Sequence, residues 1–379
     1  MSLRRILWVV LGIVISLSAL GAAWLMSLPA TPGIAAAASI PESETAAMLA
    51  ALQPPKRSRP VIAIIAINDA TETTDFLMPY GILKRADAAD VMALATRPGL
   101  VSLYPALQAE PDATIAQFDE RYPDGADYVI VPAMSRDDDP EALQWIKQQA
   151  DKGAIIVSVC AGAKVAAAAG LLDGRSATTH WYYVDELLEE HPEIRYVENR
   201  RMVVDRAVAS TTGITASMPM MLMLIEAFAG KEKAAAIASG LGVANWDARH
   251  DSAAFKFTRA FAATAIANRL AFWRAEDLGI PLRPGVDEVS LALVADAWSR
   301  TYRSSVVTYA NDAQPVETRH GLRIIPDKTS ADWPANRQLT RIEGLKPAEA
   351  LDHALAGIAL RYGKDTAHFV AMQLEYAPF

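Results

Sequence analysis

Ile155-Ile-Val-Ser-Val-Cys160-Ala-Gly-Ala-Lys-Val-Ala-Ala-Ala-Ala-Gly170 is a short β-branched run that passes, at a cysteine, into small helix-forming residues. So brief an apolar run suits a strand buried on both faces of a parallel sheet, and the alanines suit a helix packed close behind it. Similar runs stand at Val61–Ile67, Val91–Ala95 and Tyr128–Val131, with helical patterns between them. One of these is Pro140–Lys152, where Asp139 is placed to cap the helix and Pro140 to take its first position. Strand alternating with helix predicts an α/β fold, a doubly wound and mostly parallel sheet. Ligands bind such sheets beyond the carboxyl ends of the strands, which directs attention to the residues just after each run.

The chain has 379 residues, 52% of them apolar and 21% charged, with a mean hydropathy of +0.13. That balance supports a sizeable core and excludes disorder, collagen and a coiled coil. Lys+Arg 36 against Asp+Glu 44 leaves a net charge of −8, which opposes nucleic acid as a partner. A single cysteine excludes a disulfide framework, a CxxC redox pair and any multi-cysteine zinc site. The six histidines form no HExxH and no close pair, so no metal site is expected, and the cysteine chemistry considered below calls for no organic cofactor.

Arg4 and Arg5 precede an uncharged stretch from Ile6 to Leu28, which is 28 − 6 + 1 = 23 residues. At about 1.5 Å per residue it is long enough to cross a bilayer core of about 30 Å. Residues 1–28 are therefore expected to be a transmembrane anchor, with the main domain on the extracytoplasmic side, the periplasmic side in a bacterium. A cleaved signal is the alternative, with Ala35–Ala38 as small residues for a peptidase. Pro-rich residues 29–60 read as a tether with a short helix around Thr45–Leu52. Residues 61–240 read as the α/β domain and 241–379 as a carboxyl-terminal extension.

Three places carry candidate chemistry. Cys160 at a strand-to-helix corner resembles a nucleophile elbow, where a helix amino terminus lowers a thiol pKa from about 8.5 into the range of roughly 3.5–7.5. The alternative is a small buried apolar side chain. Asp69, Glu72 and Asp75 follow the first strand and are placed to face one crevice, or else to cap a helix. His180, 180 − 160 = 20 residues beyond the cysteine, is a candidate general base or hydrogen-bond donor, or a packed residue.

Several separated motifs make residues 61–240 similar to the ThiJ/PfpI family of the class I glutamine amidotransferase-like superfamily, in the branch also found as the sensor half of AraC-type regulators. They are Asp69-x-x-Glu72-x-x-Asp75-x-x-x-Pro79, Asp127-Tyr-Val-Ile-Val-Pro132, Val159-Cys160-Ala-Gly162, Ala168-Ala-Gly170-Leu-Leu-Asp-Gly174, Ala177-Thr-Thr-His180-Trp181 and Thr212-Gly213-Ile214-Thr215-Ala216. The resemblance implies that Cys160 is a reactive thiol, that Asp75 contacts it and that His180 lines the site. Ala161, Ala133, Met134, Glu72 and Trp181 are the expected oxyanion or substrate contacts. The chain departs from the pattern where most relatives carry glycines and it has Ala133 and Met134. Ala161 replaces both the histidine of peptidase-like relatives and the threonine usual in isocyanide hydratases. No late His-x-Glu of glutaminases is present where Thr211-Thr212-Gly213 falls.

Beyond Gly240 lie amphipathic patterns at Ser252–Asp277 and Val286–Arg303, without an AraC-type pair of DNA-reading motifs. Ile237–Val243 faintly suggests the turn of a helix-turn-helix. Val306–Ala310, Pro315 and Gly321–Asp327 echo Val91–Ala95, Pro98 and Leu107–Asp112, as a partial second copy without a second cysteine corner. This portion is expected to pack on the first domain, where relatives dimerise. A homodimer is the alternative assembly. Two functions are expected. One is a cysteine-dependent hydrolase, hydratase or glyoxalase-like enzyme acting on a small carbonyl or electrophilic metabolite. The other is a non-catalytic ligand-binding or redox-sensing module.

Overall fold

The computed structural model describes residues 3–33, 37–339 and 342–376. The α1 helix (Leu3–Ser27) contains an apolar window, Val10–Ser27, of mean hydropathy 2.0 with no part buried. It is long and apolar enough to cross a membrane. Ala35 and Ala36 of the candidate cleavage stretch lie outside the described residues.

The stretch expected to be a tether is docked instead. Its α2 helix (Glu42–Ala51) is followed by Leu52, which is buried together with Met48, while Glu44 pairs with Arg200 at 2.5 Å. Burial of two apolar side chains holds this segment against the domain.

The central sheet comes from β1 (Val61–Ala66), β3 (Asp90–Ala95), β6 (Ala113–Thr114), β7 (Tyr128–Val131), β8 (Ile155–Ser158), β11 (Met202–Asp205) and β12 (Val208–Thr211). Its order is β11-β12-β8-β7-β1-β3-β6, parallel throughout except at β11–β12. Every residue of β1, β7 and β8 is buried, which is why their sequences do not alternate. Short strands fill the connections: β2 (Thr71–Glu72), β4 (Val101–Tyr104), β5 (Gln108–Glu110), and the pair β9 (Ser176–Ala177) and β10 (Arg195–Tyr196). Helices α3 (Thr73–Arg85), α4 (Ile115–Arg121), α5 (Pro140–Asp151), α6 (Gly162–Ala168), α7 (Val184–Glu190), α8 (Ser217–Ala229) and α9 (Lys231–Leu241) complete this part. The Asp139 side chain accepts the N–H groups of Glu141 and Ala142 at the start of α5, as its position predicts. The helix-turn-helix-like stretch is the end of α9, stopped by left-handed Gly242.

The amphipathic stretch Ser252–Asp277 forms more than one element. Thr258 caps a shorter α10 (Arg259–Leu270) by accepting the Phe261 N–H at 3.2 Å, and the chain then turns into β13 (Glu276–Pro281). After α11 (Glu288–Ser299) come β14 (Ser304–Ala310), β15 (Val316–Glu317), β16 (Arg323–Ile325) and β17 (Lys328–Thr329). β13, β14 and β17 form a second parallel sheet, while β15 and β16 join β5, β4 and β2 in a five-stranded one. Helices α12 (Pro347–Tyr362) and α13 (Lys364–Gln373) return the chain to the first domain.

Candidate functional site

Cys160 occupies the corner between β8 and α6 with φ +56, a region that costs an L residue on the order of 1–3 kcal/mol. Two threonines hold it there. The Cys160 N–H donates to Thr211 Oγ1 at 3.2 Å, and its carbonyl accepts from Thr179 Oγ1 at 3.1 Å. Gly162 lets the corner approach β7 closely, because a Cβ at that position would lie 2.0 Å from the Val131 carbonyl oxygen.

The thiol is 4% exposed and lines a cavity of about 720 Å³. Glu72, Met134, Ala161, Trp181 and Arg300 share that cavity. The neighbouring Ala161 N–H favours the thiolate, yet the surroundings act more strongly the other way. Burial, then the charges of Asp75, Glu72 and Glu375, pushes the thiol well above the usual cysteine range. The lowered pKa expected from the helix corner is therefore overturned. Acids converge on the sulfur, and α6 is only seven residues long.

Asp75 is fully buried on the first turn of α3. Its Oδ2 accepts the Ala133 N–H at 3.1 Å, while Oδ1 is buried without a partner. Burial, then repulsion from Glu72, pushes this carboxyl well above the usual range, against the Ala133 N–H and Arg300. Glu72 caps α3, accepting the Asp75 N–H at 2.6 Å and the Thr74 hydroxyl at 2.7 Å through Oε2. Its Oε1 accepts from Arg300 at 2.8 Å. The cavity and the cap are thus two uses of one residue. Asp69 does not join them, because its exposed carboxylate pairs with Arg136 at 2.9 Å.

The expectation that Ala133 supplies an oxyanion donor fails for the same geometry, since its N–H is committed to Asp75. Neither Ala133 nor Met134 has a positive φ, so this turn does not need the glycines it lacks. His180 is also committed. Its Nδ1 accepts the Tyr182 N–H at 3.1 Å, which leaves Nε2 as the donor to the Gln373 carbonyl at 2.9 Å. Burial pulls its pKa down to about 4, opposed by the Gln373 bond. A neutral ring with both nitrogens engaged is a positioning group, so the general-base role is not what this arrangement provides. Trp181 is held similarly, with its N–H on Glu375 at 2.6 Å and its indole N–H on the Met372 carbonyl at 2.8 Å.

Two residues of the site carry no local sequence signal. Arg300, at the end of α11, bonds Glu72 and also Asp296 at 2.7 Å. Glu375, buried and at φ +48, accepts the N–H groups of Trp181 and Gly213 at 2.6 and 2.7 Å. Aromatic and apolar groups from the extension, including Phe261, Tyr302 and Phe369, close the cavity wall. Among the described residues no group of three or more His, Cys, Asp or Glu is arranged to hold a metal ion.

Known proteins resemble parts of this chain. The DJ-1/PfpI family matches residues 61–227. The isonitrile hydratase of Pseudomonas putida is 37% identical over 98 residues, 26% of this chain and 41% of that protein. The HTH-type transcriptional regulator CdhR of Pseudomonas aeruginosa is 36% identical over 86 residues, 23% of this chain and 25% of that one. The chain thus spans well under two thirds of either relative. The crystal structure of Drosophila melanogaster DJ-1beta has 24% identity and a TM-score of 0.45, covering 49% of this chain and all of that one. Residues 61–227 are a DJ-1/PfpI family domain.

Proposed function

We propose that this chain is a membrane-anchored enzyme in which Cys160 adds to a small electrophilic carbon, a carbonyl or an isonitrile-type carbon, with Asp75 carrying the proton. The observation that supports this most is a thiol held at a strained corner under the electrostatic influence of a fully buried carboxyl whose Oδ1 has no partner, each group pushed towards its protonated form. In the proposed step the sulfur bonds to carbon, and the thiol proton passes through Asp75 to the substrate atom that gains electron density. Water then displaces the sulfur and returns a proton to the pair, so hydration or hydrolysis needs no oxidant. The Ala161 N–H stabilises negative charge beside the sulfur. The similarity to an isonitrile hydratase supports this reaction class.

Asp75→Asn tests the assignment. Turnover is expected to fall about 10²–10⁴-fold, the usual worth of a positioned proton-transfer group. Alkylation of Cys160 is expected to shift to lower pH, because a like charge has left the thiol. Retained turnover with an unmoved alkylation profile would refute the pairing.

The anchoring has its own support. Arg259 at the start of α10 donates to the carbonyls of Pro29, Met26 and Leu28 at 2.9, 2.8 and 3.2 Å, just past and at the end of α1. Farther along, α10 and the turn after it expose Ile266, Leu270, Phe272 and Trp273, the last two by 72% and 68%. Aromatic and apolar groups flanked by arginines suit the interface of a bilayer. Phe257, 6.4 Å from Trp24 of α1, also lines the Cys160 cavity, giving apolar electrophiles a short route from the membrane surface. The full chain is expected to stay in the membrane pellet through an alkaline carbonate wash. Release into the supernatant would contradict the anchor.

A sensing role is the second reading, favoured by the similarity to the regulator CdhR. Peroxide titration followed by intact mass separates the two, because saturable oxidation of Cys160 without turnover of any substrate marks a sensor.

A further inference from the structure

We propose that residues 276–329 are a built-in second subunit, a copy of the start of the α/β domain that pairs with the original about a two-fold axis and lends it Arg300. The correspondence is positional and runs without a gap. The caps Glu72 and Asp287 are 287 − 72 = 215 residues apart, and each accepts the N–H three residues on, from Asp75 and Ser290. The same offset carries α3 onto α11, β5 onto β16 and β6 onto β17, with equal bounds for both strand pairs. It also carries left-handed Asp87 onto left-handed Tyr302.

Side-chain bonds repeat as well. Ala93 donates to Asp112 Oδ2 at 2.8 Å, and Thr308 donates to Asp327 Oδ2 at 2.7 Å. Leu103 donates to the Leu107 carbonyl at 2.9 Å, and Thr318 donates to the Leu322 carbonyl at 2.8 Å. Arg85, Val91, Ala95, Val101, Leu107, Pro111, Asp112 and Thr114 recur as the same residues at Arg300, Val306, Ala310, Val316, Leu322, Pro326, Asp327 and Thr329. β13 precedes α11 as β1 precedes α3, and each pairs in parallel with the strand after the helix.

The two copies meet as subunits of a symmetric dimer do, each surface contacting its own equivalent. β5 and β16 pair antiparallel with Ala109 opposite Ile324, which are the same position in the two copies (324 − 109 = 215). Arg85 at the end of α3 bonds Asp287, and Arg300 at the end of α11 bonds Glu72. Each arginine therefore reaches the opposite copy's helix cap. Only one of the two resulting sites has a cysteine. The second copy carries Ser290 where the first has Asp75, and the described chain goes on into α12 and α13 rather than into a second strand-to-helix corner. Asp296 replaces Gly81, so Arg300 gains a second carboxylate that Arg85 lacks at that place.

The role given to Arg300 rests on the proposed reactivity of Cys160, but its test does not need turnover. Glu72 at the cap of α3, Asp75 on α3, Glu375, His180, Tyr183 and Arg300 act on or beside the thiol, and the same cavity is lined by Tyr104, Asp137, Lys164, Tyr182, Glu186, Arg269 and Tyr302. Arg300 is the cation whose charge is coupled to that of the sulfur. Arg300→Gln and Arg85→Gln in the full chain, purified in a nonionic detergent, remove equivalent ion pairs. Arg300→Gln is expected to move the pH profile of Cys160 alkylation up by about one unit, roughly tenfold in rate below the midpoint, with Arg300→Lys restoring part of it. Arg85→Gln is expected to leave that profile in place. Light scattering is expected to give one chain per particle. Equal shifts in the two variants, no shift in either, or a stable two-chain particle would overturn the proposal. A chain that shows the predicted shift but turns over no substrate would sink the enzyme reading and leave the second subunit standing.

Discussion

Cys160→Ser is expected to abolish turnover of any responsive isonitrile, aldehyde or dicarbonyl compound, by about 10³–10⁶-fold, the range seen when a nucleophile is removed from a working site. The reason is chemical rather than steric. A serine hydroxyl is smaller and fits the corner, and the backbone N–H to Thr211 and the carbonyl bond to Thr179 do not involve the side chain. The fold should therefore survive with its thermal midpoint little changed. A hydroxyl in a site crowded with acids is far harder to deprotonate than a thiol, so Asp75 cannot relay its proton. The measurement is initial rate against a substrate panel, alongside thermal unfolding of the same preparation. Turnover that persists in Cys160→Ser would remove the sulfur from the mechanism.

Gly162→Ala should act through packing, and more severely on the fold. The added methyl would sit 2.0 Å from the Val131 carbonyl oxygen and 2.9 Å from the Pro132 carbonyl carbon, both backbone atoms of a buried turn. Overpacking of this kind costs typically 1–3 kcal/mol and more where only backbone can yield, so a loss of at least about 3 kcal/mol is expected. The thermal midpoint should drop by several degrees, on the order of 2–4 °C per kcal/mol or somewhat less for a chain of this size. Relief of the clash pushes the start of α6 away from β7. That carries Cys160 away from Asp75, whose Oδ2 is held by the Ala133 N–H of the same turn. Alkylation and turnover should therefore change together with stability. A Gly162→Ala variant with unaltered midpoint and unaltered Cys160 reactivity would contradict the close approach.

Local patterns made part of this legible. Tyr128–Val131 forms the strand its apolar run predicts, and Asp139 with Pro140 starts α5 where capping chemistry puts it. The corner at Cys160 follows from an abrupt change between a β-branched run and small residues. What a local reading misses arrives from far along the chain. The thiol is pushed up partly by Glu375, and His180 is engaged by the Gln373 carbonyl, both from the last described turn. A helix-corner argument weighs the dipole and has no means to count acids that only the tertiary fold assembles. Arg300 is a different case. Its counterpart Arg85 lies at a fixed spacing, so an end-to-end comparison of the chain with itself would find it, whereas inspection of the cysteine motif does not. The amphipathic pattern over Ser252–Asp277 does not show where the helix begins, because periodicity cannot see that Thr258 offers a cap partway along.

The central claim is that Cys160 is an enclosed thiol, raised by the acids around it, Asp75 foremost, and still reachable through the cavity. Because the chain has one cysteine, iodoacetamide uptake measured by intact mass as a function of pH reports on this residue alone. Complete single labelling is predicted, with a rate that stays low at neutral pH and rises through a midpoint above the free-cysteine value of about 8.5. A rate that is already at its plateau near pH 7, or a sulfur that takes up no label at any pH in the folded chain, would contradict it.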